Sequence, residues 1–152
     1  MKILPNQAGN ALGLVRAAAE VAKRRSISTV GHSLGGGLAQ VAGNWSTYPF
    51  ISFNGPGMRG TVRLSALNVF KPIQWGRSII SPSAGSTIGI SFRIRGDVVA
   101  SYGAQLGKDI VMDAPGVKRL ARHDLMEVQN ALRRDKYWRK TPYEIEPKWG
   151  EG

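Results

Sequence analysis

Residues Gly31-His32-Ser33-Leu34-Gly35 constrain this chain more than any other stretch. They match G-x-S-x-G, the spacing at which a serine rides a sharp turn between a β-strand and an α-helix. The flanks agree. Ser26-Ile27-Ser28-Thr29-Val30 is a short β-rich run that predicts a strand, and Leu34 to Ala42, with Leu38, Ala39, Val41 and Ala42 apolar, predicts the start of a helix. A serine on such a turn is held in an unfavourable backbone conformation, and the residues two places to either side come close together. Glycine at both 31 and 35 is therefore expected to remove Cβ atoms that would clash. The turn lifts the Ser33 hydroxyl clear of the sheet. It also points a helix N-terminus at a reacting carbonyl, where the backbone N–H of Leu34 can bind developing negative charge.

The same five residues without chemistry are simply a glycine-rich turn, so the partners of Ser33 decide between the readings. A nucleophilic serine needs a base, and the base needs a carboxylate to orient it. The chain has two histidines. His32 sits inside the turn and cannot readily reach round to its neighbour's hydroxyl, which leaves His123 as the candidate base. Asp97 follows the apolar-alternating run Ile88–Ile94 and the turn residue Gly96. It falls just past the C-terminal end of a predicted strand, where α/β proteins place ligand and catalytic groups. Asp113 and Asp124 are its rivals, because both lie near His123 in sequence; Asp124 adjoins the base and is badly placed to bond its ring. Ser33, Asp97 and His123 occur in the Ser…Asp…His order of the α/β-hydrolases.

His32-Ser33-Leu34-Gly35-Gly36-Gly37-Leu38-Ala39 resembles the serine turn of the class 3 lipases and their bacterial and phage relatives, within the α/β-hydrolase superfamily. Ile51-Ser52-Phe53-Asn54-Gly55-Pro56-Gly57 resembles the next strand of that family and its turn. Arg95-Gly96-Asp97-Val98-Val99 resembles the segment that carries its acid, and His123 with Met126 and Val128 the segment that carries its histidine. The resemblance spans about residues 15 to 132. It implies an α/β fold, a reduced α/β-hydrolase with a short, mainly parallel sheet flanked by helices. It also implies Ser33 as nucleophile, His123 as general base and acid, and Asp97 as the group that orients His123. Family members have at least one more strand before the serine turn, and the loop after it donates a second N–H to the oxyanion. Here the only counterpart is Met1-Lys2-Ile3-Leu4, cut short by Pro5, and no loop donor is evident.

The chain of 152 residues supports one domain with one core, expected over 1–134, followed by an irregular arm over 135–152. No apolar run approaches the roughly 20 residues that span a bilayer. The start has no uninterrupted apolar stretch after Lys2 and does not read as a signal peptide, so the expected site of synthesis is the cytoplasm, with a virion component or a delivered protein as further destinations. The absence of cysteine excludes disulfides, thiol catalysis and thiolate metal sites, and neither a metal nor a cofactor is expected. The formal net charge of +11 concerns partners. An anionic membrane surface would suit an enzyme acting on lipid. Nucleic acid is disfavoured because no helix-turn-helix, zinc-finger or RNP-like pattern occurs. A generally basic soluble surface needs no partner at all.

Along the chain the patterns predict a helix over Asn10–Arg25, strands ending at Val30, Phe53 and Ile94, and a helix over Val62–Phe70. Lys71–Ser86 reads as a long excursion, Val98–Gly116 as mixed and broken by Gly103, Gly107 and Pro115, and Val117–Arg134 as one or two helices. The arm carries Tyr137, Trp138, Tyr143 and Trp149 among basic residues, and Pro142 and Pro147 keep it out of a continuous helix. Three parallel strands leave an edge in need of cover, so a homo-oligomer or a subunit of a larger complex is expected. Three functions follow from these features. One is a serine hydrolase that cleaves carboxylic esters, lipids included. The second is a structural or assembly protein that keeps the hydrolase scaffold with weak or no activity, for instance in a phage particle. The third is a basic nucleic-acid-binding protein.

Overall fold

Alternation along the strands fixes the architecture. The computed structural model describes residues 5–23, 27–66 and 89–140. Within them four strands form an all-parallel sheet in the order β1-β2-β3-β4: β1 (Thr29–His32), β2 (Phe50–Phe53), β3 (Gly89–Ile94) and β4 (Lys108–Met112). Successive side chains on a strand point to opposite faces. Phe50 joins Ala8, Val41, Met58, Val62 and Leu106 on one face. Ile90, Phe92, Ile94, Ile110 and Met112 meet Val128 and Ala131 on the other, with Ile51 and Phe53 packed against them. Helices α1 (Pro5–Ala22), α2 (Leu34–Ser46) and α3 (Arg59–Ala66) serve the first face, and α4 (Leu125–Arg134) covers the second. A layered α/β fold results because parallel strands buried on both faces need helices on both.

α1 starts at Pro5, earlier than the pattern predicts, since proline is well suited to the first helical position. It ends at Ala22, so Lys23, with φ 54°, lies past the last turn rather than within it. Ala8, Leu12 and Val15 are buried against the neighbouring elements, while Ala18, at helical spacing from them, is exposed.

The fourth strand corrects the expectation of three. Lys108-Asp109 opens β4 with charge, and Gly107 precedes it, so the run does not read as a buried strand. The structure gives the acidic charge a use. Arg93 of β3 holds Asp109 through a bidentate pair at 2.8 and 3.0 Å, and Arg95 holds Asp113 just past the strand end at 2.8 Å. Such pairs orient β4 on its neighbour, while burial of Ile110 and Met112 supplies the stability, about 1.5–3 kcal/mol for each such side chain.

β1 is an edge of the sheet formed by the described residues, and its Val30 is exposed. Tyr137, at the start of the expected arm, packs back on the sheet with its ring 5.6 Å from that of Phe92. Trp138 beside it is exposed beneath the Arg139 guanidinium. The expected strand stub at 1–4, the excursion at 71–86 and the aromatics Tyr143 and Trp149 lie outside the described residues. Among the described residues no helix is long and apolar enough to cross a membrane.

Candidate active site

Ser33 stands between the last residue of β1 and the first of α2, with φ 57° and ψ −129°. This is a sparsely populated conformation for a residue with a Cβ and costs on the order of 1–3 kcal/mol. The surroundings enforce it. The Ser33 N–H donates to the Phe53 carbonyl at the end of β2 (3.0 Å), and the Ser33 carbonyl accepts from Gly36 (2.9 Å) and Gly37 (3.2 Å) in the first turn of α2. Of the two glycines the motif marks, only Gly31 is required sterically. A Cβ there would overlap the Gly35 carbonyl, whereas a Cβ on Gly35 would meet nothing within 4 Å. Gly36, which the motif does not mark, is the second tight position: a Cβ on it would lie 2.7 Å from Ser52 Oγ and 3.0 Å from the Gly55 backbone. Leu34 is the first residue of α2, so its N–H has no acceptor within the helix and stays available beside the serine.

His123 closes a short 3-10 turn, Ala121–His123, between β4 and α4. Its Nε2 lies 2.7 Å from Ser33 Oγ, and its Nδ1 lies 2.9 Å from Asp97 Oδ2. With the serine hydroxyl donating to Nε2, the ring proton sits on Nδ1 and is donated to Asp97. Asp97 follows β3 through Arg95 and Gly96, the latter at φ 77°, and none of its surface is exposed. Its other oxygen, Oδ1, accepts from the Ala100 N–H at 2.6 Å. The two rival carboxylates are engaged elsewhere. Asp113 pairs with Arg95, and Asp124 caps α4 by accepting from the Met126 N–H at 2.8 Å. Ser33, Asp97 and His123, up to 90 residues apart in sequence, thus form one continuous hydrogen-bonded line at the C-terminal ends of the parallel strands.

Four further side chains shape this region, none of which the sequence assigned to the site. His32 Nε2 donates to the His123 carbonyl at 2.9 Å. Asn54, fully buried at the end of β2, accepts from the Ile94 N–H and donates to the Arg122 carbonyl, both at 2.8 Å. On the α2 side, buried Gln40 contacts Ser52 Oγ, the Pro56 carbonyl and Gln105 Oε1 and accepts from the Leu106 N–H. Gln105 in turn donates to the Gly55 and Ala100 carbonyls, which ties the loop after Asp97 to the turn after β2. Asn54 had a usable signal: like Ser33 it follows directly on a parallel strand, as Asp97 does three residues on. The glutamines had none, because most of their partners, backbone and side chain alike, are distant in sequence.

Among the described residues no group of three or more His, Asp or Glu side chains gathers as a metal site. No protein-family model matches the chain, and no curated protein matches it in sequence.

Proposed function

We propose that this chain is a serine hydrolase of carboxylic esters, built on a reduced α/β-hydrolase scaffold like that of the class 3 lipases. The observation that carries the proposal is the unbroken line from Ser33 Oγ through His123 to Asp97, at 2.7 and 2.9 Å. Both links are within the reach needed for proton transfer. In the proposed reaction His123 Nε2 removes the Ser33 proton as Oγ attacks the ester carbonyl. The resulting oxyanion is met by the Leu34 N–H and the N-terminus of α2. His123 then protonates the departing alkoxide and leaves an acyl group on Ser33. Water, activated by the same ring, cleaves that acyl-enzyme and returns the serine. Asp97 keeps the ring in the required tautomer and stabilises its cationic form.

The surroundings favour an amphiphilic, anionic ester. Leu34 beside Ser33, Val98 beside Asp97, and Leu120, Leu125 and Met126 within three residues of His123 are all exposed large apolar side chains. Lys118 and Arg119 are exposed one turn before His123, and the whole chain carries a net charge of +11. Apolar side chains rimmed by cations fit an acyl chain with an acidic head group, as at an anionic membrane surface.

A second reading, a scaffold subunit of a larger assembly with little activity, is favoured by one observation: β1 lies at an edge of the described sheet with Val30 exposed. Reaction with a fluorophosphonate probe separates the two. A hydrolase is labelled on Ser33, and the Ser33→Ala variant is not. A folded protein that resists the probe supports the scaffold.

A further inference from the structure

We infer that His32 and Asn54 form a two-point clamp that sets the position of the His123 ring, and that both are positioning residues for the reaction proposed above, on which this inference rests. The turn that carries His123 is short and exposed on its outer side: Lys118, Arg119, Leu120 and Ala121 all face solvent. A three-residue 3-10 turn has few hydrogen bonds of its own, and its last carbonyls find no partner within it. In this chain those two consecutive carbonyls are taken by side chains from two different strand ends. His32, the last residue of β1, donates to the His123 carbonyl at 2.9 Å. Asn54, directly after β2, donates to the Arg122 carbonyl at 2.8 Å.

Each anchor is itself fixed. Asn54 Oδ1 accepts from Ile94 at the end of β3, its backbone N–H donates to the Phe92 carbonyl at 2.8 Å, and its backbone holds φ 45°. His32 is the residue before the nucleophile, so any movement of the Ser33 turn is passed to the His123 carbonyl through one side chain. The two imidazoles lie with centroids 5.1 Å apart and planes tilted by 33°. The clamp therefore refers the base to the strand that bears the nucleophile and, through Asn54, to the strand that precedes the acid. A displacement of about 1 Å in such an arrangement can lower a rate by about 100-fold. The Arg122 guanidinium, which donates to the Arg95 carbonyl at 2.9 Å and the Val117 carbonyl at 3.1 Å, braces the same turn from outside.

The test compares His32→Ala, His32→Gln and Asn54→Asp in the full chain. Glutamine places an N–H donor near the position of the histidine Nε2, whereas aspartate keeps the shape of Asn54 and loses the donor to Arg122. With a soluble p-nitrophenyl ester, His32→Ala and Asn54→Asp are expected to lower kcat about 10- to 100-fold with KM within about 3-fold, and His32→Gln to recover most of the rate. The His123 ring resonances, followed by NMR of 15N-histidine-labelled protein, should move in His32→Ala and return in His32→Gln. That second readout needs no turnover. If the unsubstituted protein hydrolyses no ester, the hydrolase reading fails while the ring resonances still decide the clamp. Unchanged kcat and unchanged His123 resonances in His32→Ala would overturn it. So would loss of both in His32→Gln. Should Asn54→Asp fail to fold, the half-buried His32 pair carries the test alone.

Discussion

Ser33 and His123 meet at 2.7 Å, yet the chain holds them by opposite means. Ser33 is held by its own backbone. Its strained φ, the overlap that forbids a Cβ at Gly31, and the bonds from Gly36 and Gly37 are all main-chain features of one strand-turn-helix unit. His123 is held by side chains from elsewhere, His32 and Asn54 on its turn and Asp97 on its ring. A local device leaves a motif of fixed spacing in the sequence. A device assembled from distant strand ends leaves none, because any spacing the fold can bridge will serve.

Loss of either reacting group should have the largest effect. Ser33→Ala and His123→Ala are each expected to remove about a million-fold of kcat, with the double variant no worse than either, because the members act as a unit. Asp97→Asn should cost about 10⁴-fold, since the amide favours the wrong tautomer of His123. Assays of soluble ester hydrolysis check all three. Asp124→Asn as the disabling change, with Asp97→Asn harmless, would reverse the assignment of the acid.

The two glycines test whether the Ser33 turn is as local as described. Gly31→Ala drives a methyl into the Gly35 carbonyl and should destabilise by about 2 kcal/mol or more. Gly35→Ala meets empty space within α2 and should be neutral or stabilising by up to about 1 kcal/mol. Urea unfolding of the two variants measures the contrast, and equal losses would show that the motif, rather than the contact, governs the position. Ser33→Gly should abolish activity while raising stability by about 1 kcal/mol, because glycine adopts φ 57° without strain. A fall in stability would mean that the hydroxyl bond to His123 outweighs the backbone strain.

The smallest expected effect concerns the rim near His123. Replacing both Lys118 and Arg119 with Gln should weaken binding to phosphatidylglycerol vesicles about 30-fold in low salt, at about 1 kcal/mol per cation, and leave binding to phosphatidylcholine vesicles unchanged. The preference should fade above about 0.1 M salt, where charges are screened within about 10 Å. Equal weakening on both vesicle types would assign the contact to apolar side chains alone.

The contrast between the two regions also explains what could be read in advance. The strand before Ser33, the helix after it and the strands ending near Phe53 and Ile94 are legible because apolar and β-branched residues keep regular periods there. Ser33 is legible from its motif, His123 by elimination among two histidines, and Asp97 from its place after a strand. β4 is not legible, because Lys108 and Asp109 open the run with charge, and the Asp109 carboxylate is answered by Arg93 on a neighbouring strand. Nor are the roles of Gln40 and Gln105, whose partners, main-chain and side-chain atoms alike, are brought near by folding. The motif even misleads in one respect, since it marks Gly35 where the close contact falls on Gly36.

The order of the sheet has a consequence for the timing of synthesis. Strands β1 to β4 lie side by side in the order in which they leave the ribosome, so the sheet can grow from one edge as the chain emerges. The serine is made 90 residues before the histidine it needs. At roughly 5–20 residues per second this leaves an interval of about 5–20 s in which the turn can form around an ordinary, unreactive alcohol. In the proposed hydrolase, Ser33 gains its base only once the segment that bears His123 has joined the sheet.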